Sequence, residues 1–307
     1  MCTVAVKYLK GYGWVGAKNR DRNYVVGVNI VKSSRGGLQR IYIDDNTTRW
    51  TEGLNEYGVA IISASLSVKS DEKEADKVGA AKSKSSGERN PIVSRDGLAI
   101  RKALMFSDPK AAAQSLIDSK LAGATYIFNK DVCYMLEGGF TVKKAAASET
   151  NPRDYKHVLK EISKDDGHSV RTNHGIDLTY LGYSKNAVDL KTKRNRASSE
   201  SRWNIVNAAF KKSTILTPTD FLECLSLKPN EDAFMNPIRL GDPKKGEMVT
   251  TGQLLLVPSD CTLHYRPIYS NVFFDYPGIN GKESTKVYFE IISSRKLLSF
   301  QKFIDKK

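Results

Sequence analysis

The chain has 307 residues, 40% hydrophobic and 27% charged, with a formal net charge of +14, the composition of an ordinary globular protein long enough to bury a core. No run approaches the roughly eighteen apolar residues of a membrane span, and the start lacks a basic segment followed by an apolar one, so a cytoplasmic location with no membrane partner is expected. Cys2, Cys133, Cys224 and Cys261 are scattered without paired spacing, which argues against a zinc site or a disulfide framework; the basic residues are spread without a nucleic-acid motif, so a solvated basic surface is favoured over a nucleic-acid or other acidic partner.

In chain order, residues 2–9 are apolar and β-branched and read as a strand, Gly11-Tyr12-Gly13 as a turn, and Trp14–Lys18 as a returning strand. This hairpin brings residues 18–21 back beside the chain start. Further strands are expected at Tyr24–Val31, Gln39–Ile43 and Tyr57–Ala64. Residues 67–90 lack apolar periodicity and read as a mobile loop, a flap over a pocket. Asp96 is expected to cap a helix through Phe106, and Asp108 with Pro109 another to about Lys120. Strands follow at Ala124–Asn129, Val132–Glu137 and Phe140–Lys144, then an irregular polar stretch over 146–168 and the short strand that ends in Thr172-Asn173-His174-Gly175. A basic loop over 183–197 precedes a helix over Ser199–Lys211, and Pro218 opens a shorter one to about Leu227. Strands at Gln253–Val257, Thr262–Arg266 and Lys286–Ile292 close the chain. Neither a repeat nor a linker divides it, which favours one α+β domain over residues 1–307.

Nucleotide motifs are missing, and the four histidines, at 157, 168, 174 and 264, lack ligand spacing, so neither a cofactor nor a metal is expected. Cys2 follows the initiator methionine. If Met1 is removed, a thiol and a free α-amine share one residue, and both groups titrate near neutral pH. Taken alone, Cys2 is more simply a buried strand cysteine. Asp21, at the end of the hairpin, is the natural acid to hold such an amine, although Asp also favours turns. The Asn173 side chain could donate to an oxyanion or close an Asx-turn. His174 is a base candidate or a hydrogen-bonding loop residue, and Arg202 alone is a helix-surface charge.

Five pieces in order carry a resemblance: Met1-Cys2-Thr3; Lys18-Asn19-Arg20-Asp21, like Arg-Asn-x-Asp; Glu52-Gly53-Leu54-Asn55-Glu56-Tyr57-Gly58-Val59, like Gly-Leu-Asn-Glu-x-Gly-Leu; Thr172-Asn173; and Ser199-Glu200-Ser201-Arg202-Trp203, like Ser-x-Ser-Arg-Phe at a helix start. The chain resembles the N-terminal-nucleophile (Ntn) cysteine hydrolases of the choloylglycine hydrolase and penicillin V acylase type, with their acyl-coenzyme A:isopenicillin acyltransferase-like and acid-ceramidase-like relatives. The pieces span residues 1–211.

The resemblance implies a four-layer αββα sandwich of two antiparallel sheets covered by helices, and a homo-oligomer. It implies an amidase or acylase that cleaves a linear, non-peptide C–N bond of a small N-acyl amide through a Cys2 thioester. Cys2 would be nucleophile and, through its amine, base; Asp21 would hold that amine, Asn173 would donate to the oxyanion, and Arg202 would support the site electrostatically. Two positions depart from the pattern. Lys18 stands where the family has arginine, and an ammonium does not reproduce a guanidinium fork. Ser65 falls near the position of a second oxyanion side chain, so a backbone N–H would serve there. The alternatives are acyl transfer to an amine, or a catalytically reduced protein that binds an acidic partner.

Overall fold

The computed structural model describes residues 1–34, 38–66, 95–140, 154–183, 189–212, 214–275 and 298–300. The expected flap over 67–90, the stretch 141–144 and the strand at 286–292 lie outside the described residues.

The first hairpin forms as expected. β1 (Cys2–Leu9) pairs antiparallel with β2 (Gly13–Arg22), and Gly11 and Gly13 take the positive φ of the turn between them. β2 runs four residues past the expected Lys18, because its polar end is buried between neighbours on both sides. The other strands are β3 (Val26–Ser33), β4 (Arg40–Asp45), β5 (Thr51–Asn55), β6 (Ala60–Ala64), β7 (Gly123–Phe128), β8 (Cys133–Phe140), β9 (Tyr155–Glu161), β10 (His168–Arg171), β11 (Val249–Val257), β12 (Thr262–Pro267), β13 (Ser270–Asp275) and β14 (Leu298–Phe300). The helices are α1 (Arg95–Ala103), α2 (Pro109–Asp118), α3 (Leu190–Lys212) and α4 (Pro218–Cys224).

One sheet has the order β10-β1-β2-β11-β12-β14, the other β13-β3-β4-β5-β6-β7-β8-β9. The second sheet is mixed rather than purely antiparallel, since β13 lies parallel to β3. Strand alternation sorts the apolar residues into layers. Val4, Val6, Trp14, Ile30, Ile43, Ile62, Phe128 and Leu254 fill the space between the sheets. Ala5, Val15, Ala17 and Leu255 face the other way, onto Val206, Phe210 and Phe221 of α3 and α4. Val59, Ile61 and Ile127 meet Ile100, Ala112 and Leu116 of α1 and α2. The result is the αββα sandwich.

Several boundaries differ from the sequence reading. Asp96 lies in the first turn of α1 rather than at its cap, whereas Asp108 accepts from Ala111 N at 2.8 Å as an N-cap should. The polar stretch 146–168 contains β9, an edge strand whose half-exposed side chains hide its period from composition. α3 starts at Leu190, inside the expected basic loop, because its first turns are largely solvated and Asp189 caps them through Thr192 N. The Ser199–Trp203 motif therefore lies mid-helix, not at a helix start. β5 (Thr51–Asn55), which the sequence reading did not separate, runs into the Glu52–Val59 motif. Gly53 is required there because a Cβ would meet the Ile41 carbonyl oxygen at 2.3 Å. Asn55 holds the turn by accepting from Tyr57 N and Val59 N, and ties it to the chain just past α1 by donating to Leu104 O and Phe106 O.

Candidate active site

The register of β1 and β2 decides which side chains share a face. Cys2 pairs with Arg20 and Val4 with Lys18, so Cys2, Lys18, Arg20 and Arg22 point between the sheets. Asn19 and Asp21 point the other way, towards α3. The Cys2 sulfur and the Asp21 carboxylate thus lie on opposite faces of one sheet, with the Cys2 main-chain nitrogen between them.

On the inter-sheet face, Arg22 Nη1 is 3.9 Å from Cys2 Sγ. Lys18 pairs with Glu52 Oε1 of β5, both fully buried, and Glu52 Oε1 also accepts from Ser63 N at 3.2 Å. Arg20 Nη2 and Arg22 Nη2 meet Asp45 Oδ2 at 3.2 and 3.3 Å, and Arg20 Nε lies 3.8 Å from Glu52 Oε2. Burial, the largest influence, pushes the Cys2 thiol up, but Lys18, the chain-terminal ammonium and Arg22 together outweigh it and bring the thiol down to about 7.

On the helix face, Asp21 is buried among cations. Its Oδ1 accepts from Thr250 Oγ1 at 2.9 Å; its Oδ2, with no hydrogen-bond partner, lies 3.4 Å from Arg239 Nη1 and 3.7 Å from Arg202 Nη1. A β-bulge in β11 makes this geometry. Asp21 pairs with Thr250 and Arg20 with Gly252, so Thr251 is the extra residue, and Gly252 makes room for the Tyr265 hydroxyl. The neighbouring Asn19 donates to Leu225 O and Pro237 O and so ties the end of α4 and the loop before Arg239 to β2.

Asn173, just past β10, spans to the chain start. Its Oδ1 accepts from Cys2 N at 2.8 Å and from Arg202 Nη2 at 3.2 Å, and its Nδ2 donates to the Ser65 carbonyl at 2.9 Å. An amide nitrogen carries two protons, so one Nδ2–H remains after Ser65. Arg202 is wholly buried; Nη1 donates to Cys2 O at 2.8 Å and to Thr3 Oγ1 at 3.0 Å, and Nε to Ser198 O. Burial, then Arg239, pulls its guanidinium down to about 9, which leaves it charged at neutral pH.

Six of the seven residues singled out from sequence, Cys2, Lys18, Asp21, Asn173, Arg202 and Ser65, converge here. His174 does not reach the thiol. Its Nδ1 lies 2.9 Å from Ser199 Oγ and 3.1 Å from Thr172 Oγ1, and Ser199 Oγ accepts from Asn173 N at 2.9 Å. Burial, then Arg196, lowers this imidazole to about 4, so it is neutral and braces the strand end that carries Asn173. Sequence reasoning missed Arg239, Thr250, Glu52 and Arg22 as parts of the site. Glu52 stands at the head of the Glu52–Val59 piece, but each of the four is recognisable as part of the site only by the buried charge it meets. Among the described residues no cluster of His, Cys, Asp and Glu is arranged to hold a metal ion, and no helix is long and apolar enough to cross a membrane.

Comparison with known proteins finds no matching family model and no matching curated protein. Among solved structures, the chain is similar to a penicillin V acylase from Agrobacterium tumefaciens, at 10% identity and TM-score 0.41, covering 87% of this chain and 83% of that one. It is also similar to a mutant conjugated bile acid hydrolase from Clostridium perfringens, at 11% identity and TM-score 0.48, covering 99% and 97%.

Proposed function

We propose that the protein is an amidase or acylase that hydrolyses a linear, non-peptide C–N bond of an N-acyl amide, with Cys2 as nucleophile once Met1 has been removed. The observation that carries the reading is the setting of the chain start: Asn173 Oδ1 accepts the Cys2 N–H at 2.8 Å, and the buried Asp21 Oδ2, though flanked by Arg239 at 3.4 Å and Arg202 at 3.7 Å, accepts no hydrogen bond. A buried carboxylate gains from hydrogen bonds added to its ion pairs. An α-ammonium on Cys2 would supply one.

In this reading the Cys2 thiolate, favoured by Lys18 and Arg22, attacks the amide carbon. The tetrahedral oxyanion takes the second Nδ2–H of Asn173, held in place by Arg202 and the Ser65 carbonyl, with a main-chain N–H as the other donor. The α-ammonium gives a proton to the departing amine as the C–N bond breaks, leaving a thioester on Cys2. The same amine, now neutral and oriented by Asp21, takes a proton from water, and the thioester is cleaved to acid and free thiol. Arg202 fixes both the Cys2 carbonyl and the Asn173 oxygen, so it positions the nucleophile and the oxyanion donor together.

The test is a panel of N-acyl amides offered to protein shown by intact mass to begin at Cys2, beside its Cys2→Ala variant. Release of acid and amine by the first and not the second is expected; equal activity in the two would end the nucleophile assignment.

A further inference from the structure

A ladder of buried charges runs between the sheets and ends on the Cys2 sulfur. Lys18 meets Glu52 Oε1, and Glu52 Oε2 lies 3.8 Å from Arg20 Nε. Arg20 Nη2 is 3.2 Å from Asp45 Oδ2, and the same oxygen is 3.3 Å from Arg22 Nη2. Arg22 Nη1, the other tine of that guanidinium, stands 3.9 Å from Cys2 Sγ and donates to the Asp21 carbonyl at 2.9 Å. Asp45 is itself fixed, because its Oδ1 accepts from Thr47 N at 3.0 Å and Thr48 N at 2.9 Å in the turn after β4. The guanidinium head is thus held against the sulfur by a carboxylate on one side and a main-chain carbonyl on the other.

The charges agree. The ladder holds three bases, Lys18, Arg20 and Arg22, against two acids, Glu52 and Asp45. Glu52 answers Lys18 and Asp45 answers Arg20, so the excess cation sits at the sulfur's end, where a thiolate closes the difference. Strand period explains how it gets there: residues 18, 20 and 22 share one face with Cys2. Lys18 fills the first position of the piece that is like Arg-Asn-x-Asp, but it is turned to Glu52. The guanidinium at the sulfur comes instead from the far end of the same face. A planar fork can reach the sulfur and a carboxylate at once, which a single ammonium nitrogen cannot do over the same span.

We propose that Arg22 is the catalytic residue that holds the Cys2 thiolate, the guanidinium having moved in this chain from position 18 to position 22, while Lys18 and Glu52 brace the ladder behind it. The thiolate is the attacking group when the acyl-enzyme forms and the leaving group when the thioester is cleaved, so Arg22 faces the same negative charge in both steps. The proposal rests on the reading of Cys2 as nucleophile. The other charged or titratable groups around the sulfur are Lys18 and Arg20 of β2, Tyr24 just beyond it, Asp45 of β4, Glu52 of β5 and the chain-terminal ammonium, with Asp21, Arg202 and Arg239 across the sheet. Substitution at Arg22 leaves all of them in place.

The test follows alkylation of Cys2 by iodoacetamide, a neutral reagent, over pH with peptide mass mapping. Arg22→Gln should move the half-maximal pH up by about one pH unit from about 7, because one neighbouring cation is lost. Arg22→Lys, which keeps the charge and loses the fork, should fall between the two. Cys133, fully buried, reports folding and should stay unmodified in both variants; Arg22→Lys decides the matter if Arg22→Gln unfolds. In protein that begins at Cys2, kcat/KM of Arg22→Gln for a hydrolysed N-acyl amide should be about tenfold below wild type at pH 7 and approach it at pH 9, a recovery that a packing defect does not give. A wild-type midpoint in either folded variant, or a loss of kcat/KM that is the same at both pH values, overturns the assignment of Arg22 and leaves the amidase standing. Shifted midpoints in a protein whose wild type hydrolyses no amide keep Arg22 as the counter-cation of the thiolate and overturn the amidase.

Discussion

Asn173 Oδ1 accepts the main-chain N–H of Cys2 at 2.8 Å across 171 residues of chain, and the same oxygen accepts from Arg202 Nη2 at 3.2 Å. One amide therefore ties the chain start, α3 and, through its Nδ2, the end of β6. Asn173→Ala should lower kcat by about a hundred- to thousandfold, the usual effect of losing an oxyanion donor, with a smaller change in KM. Steady-state kinetics on the hydrolysed amide would check this; a fall in kcat/KM carried wholly by KM would assign Asn173 to ground-state binding instead.

Lys18 and Glu52 form a buried pair between the sheets. Lys18→Met should destabilise the fold by up to about 3–5 kcal/mol, because it leaves the buried Glu52 carboxylate with only the more distant Arg20 as a counter-charge. The double variant Lys18→Met/Glu52→Gln should recover much of that loss in a urea titration. Additive losses would mean that the two side chains do not stabilise one another.

The thiol pH profile follows from the same residues. In protein retaining Met1, alkylation of Cys2 should rise with pH as the thiolate forms, half-maximal at about 7. Losing the Lys18 ammonium removes a cation that favours the thiolate, so in Lys18→Met/Glu52→Gln the midpoint should move up towards the roughly 8.5 of an ordinary thiol. A midpoint that stays in place would show that Lys18 does not govern the sulfur.

Gly53 tests a motif residue with no contact to the thiol. A Cβ there would lie 2.3 Å from Ile41 O and 2.5 Å from Tyr42 Cα. Gly53→Ala should cost about 1–3 kcal/mol by pushing β4 and β5 apart, with the thiol midpoint unchanged when the protein is folded. Unchanged thermal stability would refute the close approach.

How far the sequence alone reached is clearest at the first hairpin. Alternating β-branched residues and the two glycines were enough for β1, its turn and the return of β2 beside the chain start, since all of that is local backbone chemistry. Motif order was enough to bring forward Cys2, Asp21, Asn173 and Arg202. It was not enough for β9 or the first turns of α3, whose half-exposed polar faces carry little apolar period.

Only the tertiary structure separated the thiol and the Asp21 carboxylate onto opposite faces of one sheet, because the register of β1 against β2, not residue type, sets which way each side chain points. It also added Glu52, Thr250 and Arg239, residues from distant segments. A buried charge draws its partners from whatever the fold brings within a few ångströms, and linear spacing holds no record of that distance. Lys18 was legible as a departure from a motif, but its partner was not. That partner, Glu52, comes from the opposite sheet and exists as a partner only because the two sheets pack face to face.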